Sequence, residues 1–281
     1  MLTEEQKTAR MHSIGGSDIA IILGLSKYKT PYELYLEKKG LLSGDHDESS
    51  VQYWGNRLES VVRNEFALRN DVTVDTPDTI THPFYDYMRG NLDGFIAEHN
   101  AVLEIKCSTQ FMAQEWGEQG SDTIPMSYLC QVAYYCALTN ADKAYIAVLI
   151  GGHDYREFCY MRDTQLEFHV IKAAADFWEC IQNDEPPATA TIADCRLKFP
   201  SSNSGETVTI TTEIKERLDK LRDLKKAQKS LDNNEEEMKM AIIEYMQNAE
   251  AIVDALGKPL VTYKSNKKGA RSFLIKGEGN E

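Results

Sequence analysis

The sequence predicts an α/β (α+β) fold, in which helices flank a mixed central sheet. Two observations support this prediction. Apolar residues recur at helical spacing over residues 51–69 and 164–182, and the segments between these stretches alternate apolar and polar residues as strands do. Helices that enclose a run of strands are typical of a layered core, in which each apolar sheet face is covered.

The N-terminal part of the chain is predicted to be helical. A first helix covers residues 2–11, and Ser17 has the side chain of a helix cap before a second helix that ends near residue 22. A third helix begins at Pro31, because proline suits the first helical position. The fourth and longest helix covers residues 51–69, where the apolar side chains form one stripe.

The middle of the chain is predicted to form strands and two more helical regions. A three-stranded meander is expected over residues 79–87, 89–97 and 101–107. Helix returns over residues 108–140. A hairpin over residues 143–150 and 155–162, turning at a Gly-Gly-His-Asp sequence, precedes a helix over residues 164–182.

A second region begins after a linker at residues 186–206, which is rich in Pro, Ser, Thr and Asn. We therefore divide the chain into residues 1–200 and 201–281. Residues 211–248 carry a heptad-like apolar stripe, but Gln228 and Glu235 interrupt it, which favours a helical hairpin or a partner-binding helix over a long coiled coil. The chain ends in a predicted β-hairpin that turns at residues 265–269.

The charge of the chain is unevenly distributed. Residues 1–200 contain 17 Lys+Arg and 30 Asp+Glu, whereas residues 201–281 contain 14 of each class. Because phosphate contacts come from lysine and arginine, this balance argues against broad coating of nucleic acid. Clustered carboxylates are, however, what a divalent-metal site requires.

Composition also indicates the cellular compartment of the protein. No apolar run approaches the length that spans a bilayer, and the first residues lack a hydrophobic secretory core, so we expect a cytoplasmic protein. The six cysteines include no C-x-x-C pair, which disfavours a zinc site and suggests free thiols.

The segments Asn91-Leu92-Asp93-Gly94 and Leu103-Glu104-Ile105-Lys106 contain the strongest chemical signal. Alternate residues of a strand share a face, so Glu104 and Lys106 project together while Leu103 and Ile105 face the core. A hairpin would bring Asp93 beside Glu104. Two carboxylates suit Mg²⁺, which also binds substrate phosphate, and the lysine is placed to hold or deprotonate an attacking water.

An isolated D…E-x-K pattern is more often a turn aspartate and a surface ion pair than a catalytic site. Two further patterns in the right order change that balance. Gly55-x-x-x-Glu59 lies on the predicted long helix upstream, and Gln131-x-x-x-Tyr135 lies on a predicted helix downstream. The set of patterns is much more specific than any one of them.

The order G-x-x-x-E, D-G, E-x-K, Q-x-x-x-Y resembles the PD-(D/E)XK nuclease superfamily. The segments Ile14-Gly15-Gly16-Ser17-Asp18-Ile19-Ala20 and Thr30-Pro31-Tyr32-Glu33-Leu34 resemble its YqaJ-like viral recombinase branch, which includes lambda-type alkaline exonuclease. The similarity covers residues 8–160, with Leu92-Asp93 in place of the usual Pro-Asp. It implies a restriction-endonuclease-like core in residues 1–200, and a helical extension with a basic hairpin in residues 201–281.

The resemblance assigns roles around one or two metal ions. Asp93 and Glu104 would be metal ligands together with the carbonyl oxygen of Ile105. Glu59 would bind a second ion. Lys106 would act on the nucleophilic water, and Gln131 would orient the substrate or this lysine. Mg²⁺ is the implied cofactor, and Mn²⁺ would substitute for it.

Members of the family also hold a 5′-terminal phosphate with an arginine and a serine seven residues apart, and Arg10 and Ser17 have that spacing. Arginine binds phosphate through two parallel hydrogen bonds, and a helix start attracts anions. The alternative is that Arg10 is a solvated residue and Ser17 only a helix cap.

The implied activity is 5′→3′ degradation of one strand of linear double-stranded DNA to mononucleotides. Double-stranded DNA ends, a single-strand annealing recombinase and further copies of the chain, in a trimeric or tetrameric ring, are the implied partners. An iron–sulfur cluster is not expected, since all six cysteines follow Lys106.

Two other functions stay open on the sequence alone. One is a DNA-end-binding or scaffold protein with a silent nuclease fold, and the other is a structure-specific endonuclease. The basic C-terminal hairpin either guides DNA or docks a partner, or is a solvated cap.

Overall fold

A computed structural model describes residues 9–43, 49–121 and 123–277 of the chain. The chain forms two compact units, Met1–Ser201 and Ser202–Glu281. Residues 9–11 are helical, and the rest of the helix predicted over residues 2–11 lies outside the described residues.

The first unit contains six α-helices and six strands among its described residues outside the N-terminal turn. The helices are α1 (Gly16–Ile22), α2 (Pro31–Lys38), α3 (Ser50–Asn70), α4 (Met126–Thr139), α5 (Thr164–Gln182) and α6 (Ile192–Lys198). The strands are β1 (Ile80–Thr81), β2 (Arg89–Gly90), β3 (Gly94–Ile96), β4 (Ala101–Ser108), β5 (Lys143–Ile150) and β6 (Asp154–Met161).

The main sheet has the strand order β3-β4-β5-β6. Strands β4 and β5 are parallel, and the other two pairs are antiparallel, so the sheet is mixed as predicted. A parallel pair needs a crossover connection, which α4 provides. The segment predicted as one helix over residues 108–140 divides into a 3₁₀ turn (Gln110–Glu115) and α4, since Gly117, Gly120 and Pro125 interrupt it.

The predicted three-stranded meander is wrong. The segment over residues 79–87 contains only β1, because Pro83 has no N–H for a ladder and a turn follows it. Strand β1 pairs with β2 in a separate two-stranded sheet. The segment over residues 89–97 is likewise divided into β2 and β3, and the residues between them lie at the edge of the main sheet.

Helices cover both faces of the main sheet. On one face, helices α1, α2, α4 and α5 form a core with Val102, Ile146 and Phe158 of the strands. On the other face, α3 packs Val62 and Phe66 against the strands. Residues Leu103 and Ile105 of β4 belong to this second core, as predicted from strand alternation.

Helix α1 packs closely against α4, which contains Gln131 and Tyr135. A Cβ atom at Gly16 would lie 2.5 Å from ring atoms of Tyr135, which is almost fully buried. We expect Gly16→Ala to lower the free energy of unfolding by about 1–3 kcal/mol, since overpacked cores must shift backbone or rings. Thermal denaturation of the metal-free chain measures this effect.

Gly55→Ala is the matched control for that substitution. Gly55 lies within α3, and a Cβ atom there meets no heavy atom within 4 Å. Since alanine is a better helix former than glycine, this variant is expected to be as stable as the wild type or more stable. Equal stability of the two variants would contradict the packing argument.

The segment predicted as a linker over residues 186–206 contains helix α6, which is a correction to the prediction. Asp194 of α6 is fully buried and accepts hydrogen bonds from the hydroxyl of Thr30 at 2.8 Å and from the N–H of Ala190 at 2.8 Å. These bonds lower the pKa of the Asp194 carboxyl despite the opposing effect of burial. The segment is therefore tied to the start of α2.

The second unit contains one long helix and a small sheet. Helix α7 (Thr212–Met246) is continuous over 35 residues, so the alternative of a helical hairpin is wrong. Strands β7 (Ala251–Val253), β8 (Pro259–Ser265) and β9 (Arg271–Ile275) form a three-stranded antiparallel sheet. The predicted hairpin is present as β8 and β9, and β7 adds a third strand.

The thiols and the helices agree with two expectations from composition. The six cysteines are free: Cys130 and Cys136 are buried, and burial raises the pKa of Cys136 to about 12. In the described ranges, no helix combines the length and the apolar character needed to cross a bilayer.

Candidate active site

The candidate site lies beside the start of β3, where β4 continues beyond its paired segment. The ladder between these strands stops at the pair Gly94 and Leu103, so no described strand pairs with the second half of β4 on that side. Asp93 directly precedes β3, and its Oδ2 accepts a hydrogen bond of 2.7 Å from the N–H of Ile105. The carboxyl group of Asp93 is thereby held beside Glu104.

Glu104 is almost fully buried, with 2% of the residue exposed. Its Oε1 accepts a hydrogen bond of 2.7 Å from Nε2 of Gln131 on α4, and also accepts one from Nζ of Lys106. Its Oε2 is buried and accepts no hydrogen bond from any residue that the structure describes. Both donors therefore bind one oxygen and leave the other unpaired.

Lys106 is placed between acidic groups and an aromatic ring. Its Nζ bonds to Glu104 and lies 5.0 Å from the ring centre of Tyr128. Burial lowers the pKa of Lys106, but the carboxylates of Glu104 and Asp93 outweigh it and raise the pKa above its ordinary value. The lysine is thus held as a cation in a fixed position.

Burial raises the pKa of all three acidic residues predicted at the site. The pKa of Glu104 rises to about 7, because desolvation and the neighbouring carboxylates outweigh the attraction of Lys106. The pKa of Asp93 is raised by burial, although Lys106 and the Ile105 N–H oppose this shift. Acidic groups that resist ionisation in this way are typical of functional sites.

Glu59 lies on α3 and reaches the same group of side chains. Burial and the charge of Asp93 raise the pKa of Glu59, whereas Arg63 and Lys106 lower it. Glu59 is ion-paired with Arg63 one helical turn later, and its side chain is 36% exposed. Sequence analysis missed Arg63; its spacing of four residues from Glu59 was the available signal.

The donor set suits a hard divalent cation. Among the described residues, no three His, Cys, Asp or Glu side chains are already arranged around one point as metal ligands. However, Oε2 of Glu104 is a buried carboxylate oxygen without a donor, and the neighbouring groups are also oxygen ligands. Mg²⁺ binds through one or two carboxylates and completes its shell with water and substrate phosphate, so these residues fit it.

The structure corrects the prediction that Ser17 caps α1. Gly15 is the N-cap residue, and its N–H donates to Oδ2 of Asp18 at 3.0 Å. Ser17 is instead the second helical residue, and its side chain is exposed. The hydroxyl of Ser17 therefore stays near the helix start without serving as its cap.

Arg10 lies in the helical turn at residues 9–11 and is exposed. Lys38, which sequence analysis missed, fixes this part of the chain: its Nζ donates to the backbone carbonyl of Arg10 and to Oδ2 of Asp18, each at 2.7 Å. The side chain of Arg10 has no hydrogen-bond partner among the described residues. Lys38 thus links the backbone of Arg10 to α1.

An apolar cavity of about 360 Å³ lies beside the candidate site. Its wall includes Trp54 and Leu58 of α3, Cys107 of β4 and Leu149 of β5. Trp54 is 59% exposed, which shows that it is not a core residue. The cavity therefore places apolar surface within one helical turn of Glu59.

The fold has known counterparts. The chain aligns with an alkaline exonuclease from Laribacter hongkongensis at a TM-score of 0.53 and 17% identity, covering 65% of this chain and 94% of that chain. A putative exonuclease from Eubacterium rectale aligns at a TM-score of 0.50 and 12% identity, covering 75% and 96%. The prediction of a mixed central sheet flanked by helices is confirmed, and this fold is shared with these two exonucleases.

Two comparisons of sequence define the family. Residues 6–142 match the YqaJ-like viral recombinase domain. The uncharacterized protein YqaJ of Bacillus subtilis (strain 168) is 31% identical over 280 residues, which cover 95% of this chain and 87% of that protein. The chain belongs to the YqaJ-like viral recombinase family.

Proposed function

We propose that this chain is a Mg²⁺-dependent 5′→3′ exonuclease that degrades one strand of linear double-stranded DNA to mononucleotides. One observation carries the proposal: Asp93, Glu104, Lys106 and Gln131 converge at the open edge of β4, and Oε2 of Glu104 lacks a donor there. Of the proteins with a similar fold, one is described as an alkaline exonuclease in complex with dAMP, a mononucleotide.

Asp93, Glu104 and the carbonyl oxygen of Ile105 would hold the catalytic ion, and Glu59 would hold a second. When bound, Mg²⁺ stabilises negative charge on the attacking and leaving oxygens of a phosphodiester, and Mn²⁺ is expected to substitute. The ion pair with Arg63 uses Oε1 of Glu59, which would leave Oε2 to bind the second ion.

The other polar groups orient the reaction. Lys106 would hold the nucleophilic water through its ammonium group and stabilise the negative charge that develops on the attacking oxygen, with its position set by Glu104 and Tyr128. Gln131 donates to Oε1 of Glu104, which would leave Oε2 available to a metal ion. Arg10 and Ser17 would bind the 5′-terminal phosphate, as an exposed arginine and an exposed hydroxyl near a helix start.

Arg10→Ala is expected to reduce the preference for a 5′-phosphate. The guanidinium adds charge-assisted hydrogen bonds to a terminal phosphate, and each such bond contributes about 1.5–3 kcal/mol, or roughly tenfold or more in rate. Linear duplexes with and without a 5′-phosphate are incubated with Mg²⁺, and initial rates of nucleotide release are compared for both proteins.

Arg57→Ala is the matched control for Arg10→Ala. Arg57 lies on α3 over the ring of Tyr53, and its loss leaves the proposed phosphate pocket unchanged. Equal rates on both kinds of end by the wild type would remove the pocket from the proposal. Digestion of covalently closed circular duplex would instead identify an endonuclease, and absence of hydrolysis with retained end binding would identify a silent fold.

The products suggest the partners. Removal of one strand leaves a single strand, which a single-strand annealing recombinase would receive during recombination. A homo-oligomeric ring, trimeric or tetrameric, would enclose duplex DNA and present local cations inward while the outer surface stays acidic. A cytoplasmic location completes the proposal. Light scattering of the purified chain measures the number of copies directly.

A further inference from the structure

The small sheet of the second unit concentrates positive charge. From Lys258 to Lys276 the sequence has six basic residues and no acidic one. The five lysines of this segment are exposed, and the four that follow the start of β8 are called the lysine face: Lys264, Lys267, Lys268 and Lys276.

Strand register places two of these lysines on one side of the sheet. Lys264 of β8 pairs with Ser272 of β9, so the two side chains share a face. Lys276 follows Ser272 by four residues and therefore continues the same face, and its N–H donates to the carbonyl of Leu260 at 2.8 Å. At about 3.4 Å per residue, the lysines at the two ends of this row are roughly 14 Å apart.

The turn between β8 and β9 presents the other two lysines on a fixed backbone. Oδ1 of Asn266 accepts hydrogen bonds from the N–H of Lys268 at 2.9 Å and from the N–H of Ala270 at 3.1 Å. An asparagine that bonds the backbone after it holds a turn in one conformation. Lys267 and Lys268 thus extend the row at the Lys264 end.

The lysine face has no internal partner in the described part of the chain. None of its four ammonium groups forms an ion pair or a side-chain hydrogen bond with a described residue. Arg271 differs, because its guanidinium donates to the carbonyls of Tyr263, Gln247 and Ala249. Arg271 therefore has a structural role, whereas the lysines are available to an external anion.

The aromatic residues of the sheet point away from the lysine face. Tyr263 and Phe273 pair across β8 and β9, are half-buried and alternate with Lys264 and Ser272. Proteins that bind single strands stack bases on exposed aromatic rings. The lysine face instead offers cations and the hydroxyls of Thr262 and Ser272, which are donors to backbone phosphates.

We propose that the lysine face binds the phosphate backbone of duplex DNA outside the catalytic site. The inference rests on the proposed function for the identity of the ligand. Residues 1–200 have 13 more acidic than basic residues and repel DNA at long range. A cationic surface on the second unit would offset this repulsion. A separate cationic surface would retain the duplex between catalytic events.

The test measures binding of the full-length chain to a duplex without ends. A fluorescent dumbbell duplex, closed by hairpin loops, is titrated in EDTA at several NaCl concentrations. In the lysine-face variant Lys264, Lys267, Lys268 and Lys276 are replaced by Gln. The slope of log K against log salt is expected to become about 3–4 units less steep, since each phosphate contact contributes about 0.9 to it. The affinity for the duplex at 0.1 M salt should fall at least tenfold.

The control variant carries the same charge change on α7. It replaces Lys220, Lys225, Lys226 and Lys229 by Gln, all of which are exposed. Lysines alternate with acidic residues on this helix, as in the pair Lys226 and Asp223. The salt dependence of duplex binding by the control variant should therefore stay close to that of the wild type. Unchanged melting temperatures confirm that both variants fold.

The outcomes separate the inference from the proposed function. Equal slopes for the two variants on the dumbbell duplex would overturn the lysine face as a duplex-binding surface. The inference is supported if the lysine-face variant loses slope. If the wild type then fails to hydrolyse linear duplex with Mg²⁺, the nuclease proposal fails while the DNA-binding surface stands.

Discussion

Replacing Lys106 with methionine is expected to lower the rate of Mg²⁺-dependent hydrolysis of linear duplex DNA by about 10²–10⁴-fold. The ammonium group is the only cationic donor that the structure bonds directly to Glu104 among the described residues, and in our proposal it holds the attacking water. Methionine keeps the aliphatic stem beside Tyr128 but removes the charge. The loss should appear in kcat, measured as initial nucleotide release at saturating duplex.

Two comparisons make the Lys106 result specific. Lys172→Met removes a lysine that is 57% exposed and paired with Asp176 on α5, and this variant should retain the wild-type rate. Binding of duplex by Lys106→Met without metal should also be retained, since most phosphate contacts lie elsewhere in our proposal. Hydrolysis by Lys106→Met at the wild-type rate would refute the catalytic role of this residue.

Local sequence patterns predicted the elements that present the site. The helix expected over residues 164–182 has those bounds in α5, and the expected strand at residues 101–107 is β4. Alternation along β4 was sufficient to place Glu104 and Lys106 on one face and Leu103 in the core. These features depend on neighbouring residues alone, which is why periodicity could reveal them.

Local sequence patterns could not predict features that depend on residues distant in the chain. The pairing of β1 with β2 in a separate sheet depends on distant packing, so sequence alternation could not distinguish it from a meander with β3 and β4. The cap of α1 is Gly15 rather than Ser17, because Asp18 bonds the Gly15 N–H and Lys38 bonds Asp18. Lys38 is 20 residues from Asp18, and no local signal connects them.

The chemistry of Glu104 also required coordinates. The motif indicates a carboxylate, but it cannot show that Gln131 and Lys106 bind the same oxygen and leave the other unpaired. The motif also cannot show how deeply Glu104 is buried, and this burial raises the pKa of Glu104. The role of Glu104 as a ligand stays a prediction, and its protonation now gives that prediction a measurable consequence.

Binding of Mg²⁺ to the wild-type chain is expected to depend strongly on pH. The pKa of Glu104 is raised to about 7 in the folded protein, so this carboxyl is mainly protonated below that pH. A metal ion must then displace the proton, and the association constant should rise about tenfold per pH unit up to about pH 7 and level off above it. Isothermal titration with Mg²⁺ in the absence of DNA measures this dependence.

Thermal stability provides a second measurement with a determined sign. A carboxyl whose folded pKa is raised contributes stability below its unfolded pKa near 4.5 and loses it as the pH rises through about 7. The metal-free chain should therefore lose stability over this range, because an ionised Glu104 is buried with an unpaired oxygen. Added Mg²⁺ should raise the melting temperature more at pH 8 than at pH 6.

Glu104→Gln tests whether this one group causes both effects. Glutamine keeps the size of the side chain but cannot ionise, so it should abolish hydrolysis and remove the pH dependence of Mg²⁺ binding below pH 7. Glu115→Gln is the control, since Glu115 is an exposed partner of Lys27. If Mg²⁺ binding in Glu104→Gln kept the wild-type pH profile, another group would be the proton competitor. The cation would then not be bound by Oε2 of Glu104.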